Sequence, residues 1–369
     1  MIEATPNAKD CPVDLPARDL KKMIRLVETL YQLHKQPEYV ALVTPHLPES
    51  AQHDPGHDSV MMGYDFHLTP QGPQLIEVNT NAGGALLAWQ SHRDQAPKLN
   101  QRPVQLLLST FTQEMEKYSR GTLNKPKRIV VLDSEPEKQY LYPEMLEYAR
   151  LFQAWGVDAQ VVAPEALQSG ADGVFLAGKA VDLIYNRHCD FYLETEAMAG
   201  LRAAYLAGRV CLTPNPRSYG LLADKRRLLI WSHEETLKKL GLPLKTIKTL
   251  LETIPTCQLL SQRNPSEVWQ ERRRWVIKPV DSFGSRGVTL GKSISRTRFA
   301  SLTAEKTLLQ ELVLPSLTPT PWADKPMKTD LRLFVYGQKV LGVSSRIYQG
   351  QVTSFKEPGS GYAPVRIIR

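Results

Sequence analysis

The chain has 369 residues, 42% of them hydrophobic and 23% charged, with a formal net charge of +8. That length exceeds what one hydrophobic core usually serves, so two or three packed units are expected, and the composition excludes the disordered and fibrous classes. No run approaches the ~18 apolar residues of a membrane span, and MIEATPNAKDCPVDLP has acidic residues and prolines where a secretory signal has an apolar core. Cys11, Cys189, Cys211 and Cys257 are far apart and form no CxxC pair. This argues against a zinc site or a disulfide framework and fits a reducing cytoplasm. The basic residues are spread along the chain. Their densest cluster, Arg272–Arg274, reads as a solvated edge before a strand, so an anionic small molecule is a better partner than nucleic acid.

In chain order, 19–36 (DLKKMIRLVETLYQLHKQ) spaces Leu20, Met23, Ile24, Val27 and Tyr31 as an amphipathic helix. A Pro- and His-rich stretch, PHLPESAQHDPGHD, predicts a loop. MMGYDFHL and PQLIEVNT flank a turn at 69–72 and predict a hairpin. Residues 104–118 predict a helix with Val104, Leu107, Leu108, Phe111 and Met115 on one face. Over 125–215 strands alternate with helices: RIVVLD (128–133), a helix at 144–156, DAQVVAP (158–164), AVDLIYNR (180–187), a helix at 192–208 and RVCLTPNP (209–216). That alternation predicts a largely parallel sheet, a small Rossmann-like unit. It lacks GxGxxG after its first strand, so nothing marks it as a dinucleotide site. SYGLLADKRRLLIWSHE predicts one helix carrying Asp224 and Lys225. RRWVIKPVDSFGSRGVTL (273–290) and KTLLQELVLP (306–315) follow, and DLRLFVYGQKVLGVSSRIYQ (330–349) predicts a hairpin turning at Tyr336-Gly337-Gln338.

Four segments carry chemistry. In WVIKPVDSFGSRGV a strand delivers Lys278 to a loop with Ser282, Gly284, Ser285 and Gly287. Small residues let backbone N–H groups approach phosphate oxygens, and the lysine adds a compact charge. A glycine-containing turn beside a surface lysine is the plain alternative. In GYDFHLTPQGPQLIEVNTNAGG (63–84), Glu77 and Asn79 share one strand face, and Asp65 lies on the preceding strand. All three are hard oxygen donors suited to magnesium. The plain alternative is a polar outer face, although a carboxylate among Leu75, Ile76 and Val78 is costly to bury unpaired. LLQELV could read a purine edge with backbone groups near Gln310, Glu311 and Val313, or be an ordinary strand. Arg332 and Arg346 stand on opposite arms of one hairpin and suit phosphate or carboxylate, or are simply solvated.

Together, strand-Lys-Pro with a small-residue loop, a linker strand and DLRLFV…R resemble the ATP-grasp superfamily. Its closing hairpin, roughly G-x-D, a Gly turn and apolar-Glu-x-Asn, stands here at 63–84, ahead of the rest. The resemblance is therefore to circularly permuted members such as eukaryotic glutathione synthetase and the glutathionylspermidine synthetases. DLIYNRHCDFYLE resembles a segment whose arginine holds substrate carboxylate, which implies that role for Arg187. LTPNPRSYGLLADKRRL resembles the segment presenting a first phosphate lysine, which implies Lys225. Two departures are visible. Gly63 stands where glutathionylspermidine synthetases carry arginine, and Asp281-Ser282 where eukaryotic glutathione synthetase has a metal-binding glutamate.

The resemblance implies an α/β fold with permuted ATP-grasp lobes. Residues 1–120 would hold N-terminal helices and the hairpin (60–84) completing the ATP-grasp sheet. Residues 125–215 would form the Rossmann-like substrate domain and 216–369 the lobes, with 281–287 a flap over the phosphates. It also implies ATP held by Lys225, Lys278, Ser282, Gly284, Ser285, Gly287, Gln310, Glu311 and Val313. Magnesium, or manganese in its place, would sit on Asp65, Glu77 and Asn79, and Arg332 and Arg346 would be catalytic. The implied activity is an ADP-forming carboxylate–amine ligase acting through an acylphosphate on amino-acid- or peptide-like substrates. The rivals are a phosphotransferase and a non-catalytic ATP-binding regulatory protein. Oligomeric state stays open.

Overall fold

Ala17–Leu33 forms a helix that buries Met23, Leu26, Val27, Leu30 and Leu33 along one stripe. It stops three residues short of the expected end because Gln36, ahead of Pro37, is extended (ψ 132°), as the residue before a proline favours. The computed structural model describes residues 8–95, 102–282, 284, 286–353, 355 and 357–369. Where the sequence predicts loop after residue 44, Thr44–His46 and Glu49–Gln52 form short helical turns. Each starts next to a proline, whose fixed φ suits a first helical position.

The strands follow in chain order. β1 (Val13–Pro16) precedes the first helix. β2 (Met62–Thr69) and β3 (Gly72–Asn79) form the first hairpin. Helices Ala85–Gln95 and Arg102–Tyr118 come next. β4 (Arg128–Leu132) and β5 (Asp158–Val162) flank the helix Tyr142–Ala154. A small meander, β6 (Leu167–Gly170), β7 (Gly173–Leu176) and β8 (Lys179–Ala180), leads to β9 (Leu183–Asn186). A helix at Ala199–Leu206 then leads to β10 (Cys211–Thr213). β11 (Cys257–Leu259), β12 (Trp275–Pro279), β13 (Thr289–Leu290) and β14 (Thr307–Glu311) form one antiparallel sheet in the order 11-14-12-13. β15 (Ser316–Thr318), β16 (Met327–Tyr336), β17 (Lys339–Tyr348), β18 (Gly361–Ala363) and β19 (Val365–Ile368) complete the chain.

β10, β9, β4 and β5 make a wholly parallel four-stranded sheet in that order, as the strand–helix alternation requires. The largest sheet has the order β18-β17-β16-β2-β3, with β15 also on β16. In it β2 pairs antiparallel with β16, from Leu331 opposite Phe66 to Val335 opposite Met62. The early hairpin therefore belongs to the sheet of the late one. Packing agrees: Met23, Leu26 and Leu30 share a buried core with Tyr64, Leu75, Ile247, Leu331 and Leu333. β1 pairs in parallel with β19 and ties the two ends of the chain together.

The single helix expected across Asp224 and Lys225 is broken. A helical turn at Pro216–Ser218 runs into a π-helical turn, Tyr219–Ala223, then Asp224 is extended (ψ 124°), and helix resumes at Arg227–Trp231. The buried Asp224 carboxylate accepts the Arg226 backbone N–H at 2.9 Å and the Tyr192 hydroxyl at 2.7 Å. Such a local side-chain-to-backbone bond competes with the helical ladder. The break puts Lys225 at a corner rather than along a helix. Among the described residues no helix is long and apolar enough to cross a membrane.

Candidate functional site

The β2–β3 hairpin builds one wall. Asp65 lies opposite Glu77 in register, but the pairing then slips so that Phe66 faces Leu75 and Ile76 is left over as a bulge. A bulge re-aims side chains and frees a ladder carbonyl. Both consequences are visible. Ile76 and Glu77 line the same cavity instead of alternating faces. The Ile76 carbonyl accepts the Lys278 ammonium and the Gln310 amide, each at 3.2 Å. Strict alternation along the strand does not foresee this.

After β3 the chain turns through Gly83 and Gly84 beneath other side chains. A Cβ at Gly83 would lie 2.2 Å from Leu141 and 2.6 Å from an Arg187 nitrogen, and one at Gly84 (φ +91°) 1.7 Å from the Tyr362 hydroxyl. The buried Glu144 carboxylate accepts the N–H groups of Gly84 (2.8 Å) and Leu86 (3.0 Å), capping the helix that follows. The Asn-Ala-Gly-Gly run is thus required by close approach. Gly63 has a similar cause: a Cβ there would meet Ala82 at 2.6 Å and Arg332 at 3.5 Å.

β16 and β17 carry the charged floor. Arg332 donates Nε and Nη2 to the two oxygens of Asp65, both at 2.6 Å. Arg346 donates to both oxygens of Asp330, at 2.7 and 3.0 Å, and also reaches Asp65 at 2.9 Å. Thr353 adds a hydroxyl to Asp330 at 2.6 Å. All four charged groups are at least nine-tenths buried, and the four charges sum to zero. Burial alone would raise the Asp65 pKa, but the Arg332 and Arg346 charges outweigh it and hold the carboxyl well below its usual range. The two arginines expected as free clamps are therefore largely spent on carboxylates. Among the described residues, the cavity-lining Arg346 keeps Nη1 without a hydrogen-bond partner. Asp330 was missed from sequence; its place two before Arg332, on the same strand face, was the available signal.

Asn79 Nδ2 sits 3.2 Å from Asp65 and 3.4 Å from Glu77, so the three expected metal donors converge. Their states differ. A carboxylate offers about four lone-pair positions, and Asp65 already accepts from Arg332 twice, Arg346 and Asn79. Rotating the Asn79 amide would turn its oxygen toward a cation and release one Asp65 position together. Glu77 is less enclosed and, among the described residues, accepts only from Asn79. Among the described residues no three His, Cys, Asp or Glu side chains form a metal-type cluster. Two carboxylates with an amide suit magnesium, which keeps water and phosphate oxygens among its ligands.

The β11–β14 sheet faces this floor. β12 brings in Lys278, which is 4% exposed, and burial lowers its pKa against the pull of Glu77. Lys225 donates to the Ser282 backbone carbonyl. Neither lysine has a carboxylate within ion-pair distance among the described residues, so both are positive charges resting on neutral carbonyls. Linkage has a definite sign here. The folded Lys278 pKa lies below the unfolded value, so stability from this group rises as pH increases from the folded value toward about 10.5.

Between the two sheets lies a cavity of about 440 Å³. Asp65, Glu77, Asn79, Lys225, Lys278, Gly284, Gln310, Glu311, Val313, Arg332 and Arg346 all line it. Ser282 contributes its carbonyl to Lys225, and Gly287 (φ +74°) packs on Pro279. Ser285 lies outside the described residues. Arg187, expected at the substrate carboxylate, does not line the cavity. It is 5% exposed, under Gly83, with Nη1 3.3 Å from the Tyr185 hydroxyl and, among the described residues, Nε without a partner. Its neighbours Gly83 and Cys189 do line the cavity.

No protein-family model matches the sequence, and no curated protein sequence is similar to it. Solved structures are. A glutathione synthetase-like effector, GSS30, from Globodera pallida in its apo form superposes with a TM-score of 0.62. The match covers 97% of this chain and 89% of that one at 11% identity. The fold is of the ATP-grasp type. A gamma-glutamylcysteine synthetase candidate from Methylobacillus flagellatus KT has a TM-score of 0.51, covering 91% of this chain and 84% of that one, also at 11% identity. At such identity the likeness concerns architecture. Within the ATP-grasp fold of this chain, the cavity is the cleft between the β11–β14 sheet and the β2/β3/β16/β17 sheet, joined by the linker after β14.

Proposed function

We propose that the protein is an ADP-forming ligase that joins a carboxylate to an amine through an acylphosphate. One observation carries the reading. Buried Lys278 and half-buried Lys225, neither with a carboxylate partner among the described residues, face an oxygen-donor set, Glu77, Asn79 and Asp65, across one cavity. Cations on one wall and metal-type donors on the other suit a triphosphate, whose oxygens can satisfy both.

In this reading the purine lies against Ile76, Val276 and the 311–313 backbone, with Gln310 behind it. Lys225 and Lys278 exchange backbone carbonyls for phosphate oxygens. Glu77, Asn79 and one released position on Asp65 would hold magnesium, which would supply neutralisation of phosphate charge. The substrate carboxylate attacks the γ-phosphorus, and ADP leaves. The amine then displaces phosphate to form the amide. Arg346, through its unpaired Nη1, stabilises charge developing on the transferring group, while Asp330 and Asp65 hold its plane in place. Arg332 positions Asp65. Arg187 serves the carboxylate end by holding Gly83 and Asn81; the Asn81 side chain donates to the Arg187 carbonyl. The hairpin at 62–79 is taken as the terminal piece of the fold in permuted order, which the β2–β16 pairing supports. The domain limits proposed are those of the sequence reading: 1–120, 125–215 and 216–369.

The test is substrate-dependent ADP release across amino acids, short peptides and amines, with hydroxylamine present. Hydroxamate formation is the expected result and would separate ligase from kinase. ADP release with a phosphorylated product and no hydroxamate under any pairing would overturn it. Lys278→Ala is expected to weaken ATP binding about 10- to 100-fold, the value of one hydrogen bond to a charged group. Calorimetry reads this directly, and unchanged affinity would remove Lys278 from the nucleotide site.

A further inference from the structure

We infer that His67 is a nucleotide-selecting residue, its Nδ1–H anchoring the Val313 carbonyl while its Nε2 accepts a hydrogen bond from the base or ribose of the nucleotide. The inference rests on the reading of the cavity as an ATP site.

Asp65 and His67 are two residues apart on β2, so both point into the cavity, and both line it. His67 Nδ1 lies 2.8 Å from the Val313 carbonyl oxygen. A carbonyl only accepts, so Nδ1 must carry the proton. In a neutral ring Nε2 is then an acceptor. An ordinary imidazole is mostly neutral above about pH 6.5. Among the described residues Nε2 has no hydrogen-bond partner.

Position says what the acceptor meets. Val313 belongs to the linker between β14 and β15, and Leu312, Val313 and Leu314 all line the cavity. Ile76 and Val276 supply apolar walls from the two sheets. A flat heterocycle between apolar walls, read along its edge by a linker backbone, is the ligand shape this end accommodates. An acceptor here pairs with an exocyclic amine or a ribose hydroxyl. It repels an oxo group in the same place, because two lone pairs would then face each other in a partly desolvated site. The residue also couples the linker to the strand carrying Asp65.

The experiment is equilibrium binding of ATP, ITP, 2′-deoxy-ATP and 3′-deoxy-ATP, with magnesium, to the full chain and two variants. His67→Asn keeps a donor near the Nδ1 position and lacks the outer nitrogen. His67→Gln keeps a polar atom near the Nε2 position. Wild type is expected to prefer ATP by about tenfold or more over ITP if the amine is read, or over one deoxy form if a hydroxyl is. His67→Asn is expected to lose that preference and His67→Gln to keep part of it. If wild type binds ATP but His67→Asn keeps every wild-type ratio, this inference is overturned and the ATP site stands. If wild type binds no adenine nucleotide, both fall. Should His67→Asn fail to fold, undiminished ratios in His67→Leu or a complete loss in His67→Gln would equally overturn it.

Discussion

The double variant Glu77→Gln/Asn79→Ala is expected to lose ATP turnover by at least ~10³-fold while keeping its fold. In the proposed reading each side chain is a ligand of the magnesium that would neutralise the transferring phosphate, and loss of one preorganised electrostatic partner typically costs ~10²–10³ in rate. Neither side chain is fully buried, and their mutual contact is a 3.4 Å hydrogen bond. After the change Asp65 keeps Arg332 and Arg346, and Lys278 keeps the Ile76 carbonyl, so neither buried charge loses its remaining hydrogen bonds and the melting temperature should move little. ADP release and circular dichroism on one preparation check both halves. Wild-type turnover would show that the metal does not sit on β3.

Asp65→Asn is expected to behave in the opposite way, with a large loss of stability. The carboxylate is 2% exposed and lies between two arginines themselves at least nine-tenths buried. Removing one partner of a buried pair typically costs ~3–5 kcal/mol, because the remaining charge is left uncompensated. Arg332→Gln combined with Asp65→Asn should cost less than the sum of the two single changes, since the groups act as one network. The pH dependence has a fixed sign. The folded Asp65 pKa lies below the unfolded value, so its contribution is complete above about pH 4 and is lost as pH falls through the folded value. Urea unfolding at several pH values should show the gap between wild type and Asp65→Asn closing in acid. A variant as stable as wild type at pH 7 would mean that Asp65 acts only at a ligand.

Much of the donor chemistry was legible because it depends on short-range spacing. Glu77 and Asn79 share a face by alternation, and Lys278 ends a strand that could be read from its apolar run. Lys225 lines the cavity, but the helix expected across it is broken, because the Asp224 side chain bonds the backbone. Asp330 and His67 went unread for a different cause. Each is one polar residue on a strand whose ordinary reading is a sheet surface, and each takes its partner from outside its own strand: Arg346, 16 positions on, for Asp330, and Val313, 246 positions away, for His67.

What the sequence determined by itself was the two hairpins, the parallel strand–helix alternation and the residue types able to handle phosphate and a divalent cation. Hydrophobic period, turn residues and strand polarity are local, and they act whatever the rest of the chain does. Tertiary structure alone decided three things. The β3 bulge turned the Ile76 carbonyl toward Lys278 and Gln310, a shift of register that only the pairing partner imposes. The approach of β16 to β2 converted Arg332 from an expected free clamp into the partner of Asp65. Packing beneath Gly83 put Arg187 behind the cavity wall instead of in it. In each case a buried polar group had to find a partner when the sheets closed, and partners at long range are chosen by geometry that no local pattern encodes.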